Sequence, residues 1–518
     1  MDTTVRYTGF GTDDDAWCRA PRLWRGSNTT LCLNATRFDA LHDFATSSGL
    51  GLLFGLSYPG VDGGVGNDAF VIPPYNGSQN LALLRYAKRT GRPLVGVELG
   101  EEMTPEPNTT DFQHLVDAYR RLRRDLDDVY GAGADRPRVL GPCVGMDAET
   151  NGNSECLPNC SVSPFFSAFV AEGLVDAVCA HSYVRRADVP KASRGDAAAA
   201  TWLCRGDESR RRRGCDVDHP CITATTPRPR RGSFVETRRA PHRYNNDGPW
   251  ERPNFENQTL RQLDAIRAAA GRDAELWCGE CGPHNGGGLA NVTDTALSTF
   301  WYLDALGSVA LKAVQFGRQA LAGSHYGLLN PAADFEPNPD FYVAALWTRL
   351  VGATVLQTTL STRPPGTPRA DFYPAHGRNF YAAASGRGQD DDQVHVYAHC
   401  GVDGGVALAF INLGEDVAYN VTVNGVQSGP RLEWRLSAAD LASRTLLLND
   451  APLETAGSAL PAMDPVPGEG PLVLASQTLG FATLSGEYGV CGGGRRSSAT
   501  VEERKLRRAA RGRRRSST

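Results

Sequence analysis

Leu94-Val95-Gly96-Val97-Glu98-Leu99-Gly100-Glu101-Glu102 and Glu275-Leu276-Trp277-Cys278-Gly279-Glu280 are short apolar runs that break at glycine and end in carboxylates. Runs of this length read as buried strands of a parallel sheet, whose catalytic residues stand at the strand tips. Outward from these two, further strand candidates are Val5–Thr8, Leu52–Leu56, Arg138–Gly141, Val175–His181 and Leu311–Phe316. Helical patterns alternate with them: Phe38–Ser47, Asn80–Arg89, Asp111–Tyr130, Pro164–Glu172, Leu260–Ala270, Thr293–Leu306 and Pro339–Leu350. Such alternation predicts repeated βα units. Seven strands are one short of a closed (β/α)8 TIM barrel, so the first barrel strand is expected to be missing because the chain begins too late.

Beyond Val351 the texture changes to strands alone: Val394–Cys400, Val406–Asn412, Ala418–Val423, Arg431–Leu436, Thr445–Asn449 and Leu472–Leu484. Separated by Gly, Asp and Pro clusters, they predict a C-terminal antiparallel β-sandwich. The expected organisation is a catalytic barrel over 1–350 with a basic insertion at 184–250, a sandwich over 351–491, and a disordered basic tail over 492–518. The insertion is too long for an ordinary loop, and the tail cannot bury enough apolar surface to fold alone.

The chain has 518 residues, 41% hydrophobic and 22% charged, which excludes a disordered, collagen-like or coiled-coil protein. Its most apolar runs, Gly49–Leu56 and Val406–Ile411, are of strand length, so no membrane span is expected. The formal net charge of -4 is unevenly placed. From Arg495 onward about ten Lys and Arg face Glu502 and Glu503, leaving the tail at about +8 and the body at about -12. An acidic body argues against a nucleic-acid partner.

Thirteen cysteines accompany Asn-X-Ser/Thr sequons at Asn28, Asn34, Asn76, Asn108, Asn159, Asn257, Asn291 and Asn420. Together they predict the secretory pathway, extracellular, lysosomal or vacuolar. Met1 is followed at once by Asp2 and carries no apolar leader, so the signal peptide is expected to lie outside this chain.

Counting the missing strand as first, Glu101 and Glu102 end strand four and Glu280 ends strand seven. These strands face each other across a small barrel mouth, where two carboxylates about 5 Å apart define a retaining glycosidase. Cys278 and Cys281 bracket Glu280, but without a second Cys/His pair nearby they give no zinc spacing; neither metal nor cofactor is expected.

The ordered motifs carry a more specific message. Leu52-Leu53-Phe54-Gly55-Leu56, Tyr75-Asn76-Gly77-Ser78-Gln79-Asn80, Glu98-Leu99-Gly100-Glu101-Glu102, Gly279-Glu280 with Gly286-Gly287-Gly288, Trp301–Gly307, Arg318-Gln319 and Leu350-Val351-Gly352 follow in sequence. In this series the chain resembles the heparanase and plant β-glucuronidase family, glycoside hydrolase family 79, from Val5 to Cys491. The resemblance implies a (β/α)8 barrel with a β-sandwich and a cofactor-free double displacement, with Glu102 as acid/base and Glu280 as nucleophile. It places Glu101 where the family has an asparagine that contacts the sugar. His181 and Tyr183 are similar to the family's His-His-Tyr, Gly286 and Gly287 to its uronate-binding glycines, and Tyr326 to a carboxylate-contacting tyrosine. Around Met146–Glu149 anionic groups stand where heparanase carries arginines.

The expected partner is therefore a glucuronide-containing polysaccharide or glycoside. Two readings stand beside it: a catalytically inactive glycan-binding homologue, favoured by Glu101, and a retaining hydrolase for neutral sugars. The Arg-rich insertion invites a sulfated glycan, and the protein is expected to be a monomer without maturation cleavage. Finally, the resemblance implies a disulfide between Cys400 and Cys491.

Overall fold

The computed structural model describes residues 2–3, 9–11, 32–47, 51–58, 71–100, 102–133, 135–145, 161–183, 259–271, 274–284, 287–356, 359–362, 373–376, 394–414, 418–421, 431–455, 460–486 and 488–492. The chain forms two compact units, Met1–Arg185 with His242–Thr518, and Arg186–Pro241. The second unit, and with it most of the basic insertion, lies outside the described residues, as does the tail beyond Gly492.

In the first unit seven parallel strands alternate with helices. They are β1 (Asp2–Thr3), β2 (Leu53–Leu56), β3 (Gly96–Leu99), β4 (Arg138–Gly145), β5 (Ala177–Tyr183), β6 (Glu275–Gly282) and β7 (Gln315–Arg318). Sheet order equals chain order, with β1 and β7 at the two ends. Every neighbouring pair is parallel. The predicted strand Val5–Thr8 lies outside the described residues; β1, just upstream, pairs with β2. The last strand corrects the expected span. Val314 is exposed and precedes the strand, whereas Leu311 caps the preceding helix, so the run Leu311–Phe316 spans a helix end and a turn before β7 begins.

Between the strands lie α1 (Ala35–Ser47), α2 (Ser78–Arg89), α3 (Thr110–Tyr130), α4 (Pro164–Ala171), α5 (Arg261–Ala270), α6 (Ala296–Ala310) and α7 (Pro339–Leu350). Their ends follow local chemistry: the Thr109 hydroxyl accepts from Phe112 N to start α3, and the Ser163 hydroxyl accepts from Phe166 N to start α4, with Pro164 in its first turn. In α3 the residues Phe112, Leu115, Val116, Tyr119, Leu122 and Leu126 form one apolar stripe against the sheet.

The sheet is buried on both faces. Phe54, Val97, Val139, Val178 and Leu276 point outward under the helices. Leu53, Leu140, Ala177, Cys179 and Trp277, one residue out of phase, form a separate cluster on the inner face.

After α7 the chain enters an antiparallel eight-stranded sheet. Its centre is β9 (Val394–Gly401), β10 (Val406–Asn412), β17 (Thr478–Leu484) and β12 (Arg431–Ser437), with β8 (Val351–Leu356) beside β9 and the short strands β13 (Leu447–Leu448), β14 (Ala451–Pro452) and β15 (Val466–Gly468) on the β12 side. The predicted strand Leu472–Leu484 is in fact two. Leu472–Leu474 (β16) pairs with Tyr419–Val421 (β11), whereas β17 pairs with β10 and β12. Asn412, at the end of β10, holds that break: its side-chain amide donates to the Leu474 and Ala475 carbonyls.

Every residue of β9 and β10 is buried, because both sheet faces are covered. Ala407, Ala409 and Ile411 face α6 and α7; Leu408 and Phe410 face Tyr419, Leu472 and Leu474. Helix α6 is correspondingly buried all round, and its Asp304 accepts from His395 Nδ1 at 2.7 Å across to β9. Cys400 and Cys491 are joined, with Cα atoms 5.3 Å apart.

Candidate active site

At the C-terminal ends of β4 to β7 the regular ladder gives way. On β4 two residues, Cys143 and its neighbour, occupy the space of one on β5, since Pro142 pairs with Cys179 and Val144 with Ala180. On β6 the register against β5 moves from Ala180↔Cys278 to His181↔Glu280, one residue facing two. Against β7 it moves from Cys278↔Phe316 to Cys281↔Arg318. Such bulges re-aim side chains at barrel rims.

The bulge on β6 decides where Glu280 points. Leu276 and Cys278 face outward, so a regular strand would send Glu280 outward as well. The extra residue at Gly279 reverses the phase: Cys281 returns to the outer core while Glu280 turns to the inner face. Gly279 has to be glycine, because a Cβ there would lie 2.5 Å from Cys179 Sγ. Gly317 on β7 has to be glycine too, since its Cβ would strike the Gly279 carbonyl.

Glu102 reaches the same place from β3. Gly100 (φ 75°) and Glu102 (φ 48°) are both left-handed, so the chain turns sharply at the strand tip. For a non-glycine residue this conformation costs on the order of 1 kcal/mol, a strain characteristic of functional sites.

Two hydrogen bonds organise the cluster. His181 Nδ1 lies 3.1 Å from Glu102 Oε1, and the Tyr183 hydroxyl donates to Glu280 Oε1. His181 is 2% exposed and Glu280 8%. Burial pushes the His181 imidazolium toward deprotonation, but the Glu102 hydrogen bond and the charges of Glu280, Glu98 and Glu102 outweigh it, and its pKa rises from 6.5 to about 10. Burial and the Glu280 charge hold the Tyr183 phenol protonated far above its ordinary range. The Tyr326 ring lies 6.3 Å from that of Tyr183, and burial, then the Glu280 charge, also raises its pKa.

Behind these tyrosines Arg318, at the end of β7, pairs with Asp340 of α7 at 2.7 Å, both side chains being almost wholly buried. The guanidinium faces the rings of Tyr302, Trp301 and Tyr326 at 5.1, 5.4 and 5.9 Å. This buried cation fixes the wall that Tyr326 belongs to. Gly287 (φ 94°) accepts from His325 N at 2.7 Å, which ties the loop after β6 to the residue before Tyr326.

The fold therefore gathers Glu102, His181, Tyr183, Glu280 and Tyr326. Glu101 and Gly286 lie outside the described residues. Sequence reading missed Glu98, which is 1% exposed on the inner face, and the Arg318–Asp340 pair. Glu98 had a signal: an acid between Val97 and Leu99 of a buried strand has to face inward. Asp340 had none, since only packing brings α7 to β7.

Glu98, Cys143, Cys179 and His181 place metal-ligand atoms within 4.8 Å of one another. Cys143 and Cys179 are joined to each other, however, so the cluster offers no thiolate, and Cys179 Sγ stands 3.9 Å from Glu98 as a contact without a proton to give. A second disulfide, Cys278–Cys281, spans the bulge at Glu280.

The family profile "Glycosyl hydrolase family 79, N-terminal domain" matches residues 252–307, a segment that contains β6 and Glu280. Heparanase-like protein 1 of Arabidopsis thaliana is 34% identical over 173 residues, 33% of this chain and 26% of that protein. Baicalin-beta-D-glucuronidase of Scutellaria baicalensis is 31% identical over 210 residues, 39% of this chain and 34% of that protein. The matches thus span about a third or less of these two relatives. Among solved structures, the GH51 arabinofuranosidase from Xanthomonas axonopodis pv. citri has a TM-score of 0.47 at 12% identity, covering 87% of this chain and 78% of that one. In the profile match and in these partial relatives, the chain is similar to glycosyl hydrolase family 79, the family that its strand-end motifs resemble.

Proposed function

We propose that the chain is a retaining, β-glucuronidase-type glycoside hydrolase acting on glucuronide-containing glycans or glycosides. The observation that carries this reading is the pair of hydrogen-bonded carboxylates on the inner face, Glu280 with Tyr183 and Glu102 with His181. Glu280, its lone pair directed by the Tyr183 hydroxyl, attacks the anomeric carbon. Glu102 and His181 hold one proton between them, which passes through Glu102 to the leaving oxygen; Glu102 then takes a proton from water to release the sugar. The raised His181 pKa keeps that proton in place at neutral pH. Tyr326 and the backbone at Gly287 face a uronate carboxylate. The names of the relatives, heparanase-like protein and baicalin-beta-D-glucuronidase, support this substrate class.

The seven-stranded sheet is part of a (β/α)8 barrel over 1–350, and the eight-stranded sheet with the β11–β16 pair is a β-sandwich over 351–491, their shared core supporting two layers. Exposed sequon asparagines at Asn76, Asn108, Asn291 and Asn420 support passage through the secretory pathway. No helix among the described residues is long and apolar enough to cross a membrane. The protein acts as a monomer, and the insertion at 184–250 attracts sulfated glycan; unchanged heparin retention after its deletion would remove that part.

The deciding experiment is hydrolysis of aryl β-glucuronide against aryl β-glucoside and β-xyloside, with Glu280→Gln as blank and the product anomer followed by NMR. The reading requires glucuronide cleavage with retention that Glu280→Gln abolishes. Preference for the glucoside or xyloside identifies a neutral-sugar hydrolase; glycan binding without cleavage identifies a silent homologue.

A further inference from the structure

We infer that the disulfide Cys278–Cys281 is a positioning device for the nucleophile, a staple that holds the β6 bulge and so keeps Glu280 on the inner face. The inference rests on the nucleophile role proposed for Glu280. Cys278 and Cys281 are both outward-facing members of the core under the helices, 0% and 2% exposed. In a regular strand two residues three apart point to opposite faces and cannot be joined. They share a face here only because the bulge adds one residue between them. The bond and the bulge therefore require each other: joining the sulfurs forbids the regular register, and the regular register is the state in which Glu280 would turn away from Glu102 and His181.

The neighbours give the bulge no other covalent tie. Gly279 carries no side chain to wedge it, and on the inner side its Cα faces Cys179 Sγ of the bridge on β4 and β5. The bridge closes only three residues of sequence, against 91 for Cys400–Cys491, so it removes little chain entropy from the unfolded state. Its effect is local and geometric.

The test is the double variant Cys278→Ala/Cys281→Ala, with Cys278→Val/Cys281→Ala as a better-filled alternative should the first fold poorly. Each is compared with wild type for kcat and KM on aryl β-glucuronide, for the rate of covalent trapping by a 2-deoxy-2-fluoro-glucuronide, and for Tm. A misplaced attacking group of about 1 Å lowers chemistry by about 100-fold. We expect kcat and the trapping rate to fall together by on the order of 100-fold, with KM within about twofold. Cys400→Ala/Cys491→Ala is the control, losing Tm while keeping kcat. A folded Cys278/Cys281 variant whose kcat stays within about threefold of wild type, or whose loss only follows its unfolded fraction, overturns the inference. The nucleophile reading fails separately, by a Glu280→Gln variant that remains as active as wild type.

Discussion

Replacing Tyr183 by Phe removes one atom, the hydroxyl that donates to Glu280 Oε1, and keeps the ring that lies 6.3 Å from Tyr326. Glu280 is 8% exposed, so water replaces the lost donor poorly. A hydrogen bond to a charged group contributes roughly 1.5 to 3 kcal/mol, which at about 1.4 kcal/mol per decade corresponds to a loss of about 10- to 150-fold in kcat/KM. Because the phenol stabilises the ionised carboxylate, the acid limb of the kcat/KM profile moves to higher pH in the variant. The assay is aryl β-glucuronide hydrolysis across pH, with circular dichroism to verify folding. If kcat/KM stays within about twofold and the acid limb does not move, Tyr183 does not tune the nucleophile and the proposed arrangement of the site is wrong.

Asp340→Asn leaves the Arg318 guanidinium buried without its counter-ion, and a cost of about 3 to 5 kcal/mol is expected, read from the urea midpoint. Cys400→Ser/Cys491→Ser opens a loop of 91 residues; the chain-entropy relation gives roughly 4 to 5 kcal/mol of lost stability, measured by thermal melting with activity at 25 °C retained. The His181 pKa is raised on folding, so its contribution to stability is full below 6.5 and disappears as pH climbs toward about 10. Unfolding free energies measured across that window should decline in wild type, and the decline should be shallower in His181→Asn.

The βα alternation and the order of the elements were legible in the sequence, their ends only to within a few residues, because burial on both sheet faces writes each strand as a compact apolar run. Glu102 and Glu280 are legible for the same reason, as carboxylates interrupting such runs, and the roles proposed for them come from the resemblance carried by the ordered motifs. Leu311–Phe316 and Leu472–Leu484 misled, since hydrophobicity alone does not mark a helix end or a strand that changes sheet. What the tertiary structure alone decided is direction. Period-two counting along β6 assigns Glu280 to the outer face, and only the one-residue register difference against β5 and β7 turns it inward. Such a difference is set by how three strands pair, with Gly317 admitting the Gly279 carbonyl and Cys278 bonded to Cys281. The Arg318–Asp340 pair belongs to the same class: its partners are 22 residues apart in sequence, and they meet because α7 packs back onto β7. A sequence states which groups are available; contacts between elements fix which way each one faces.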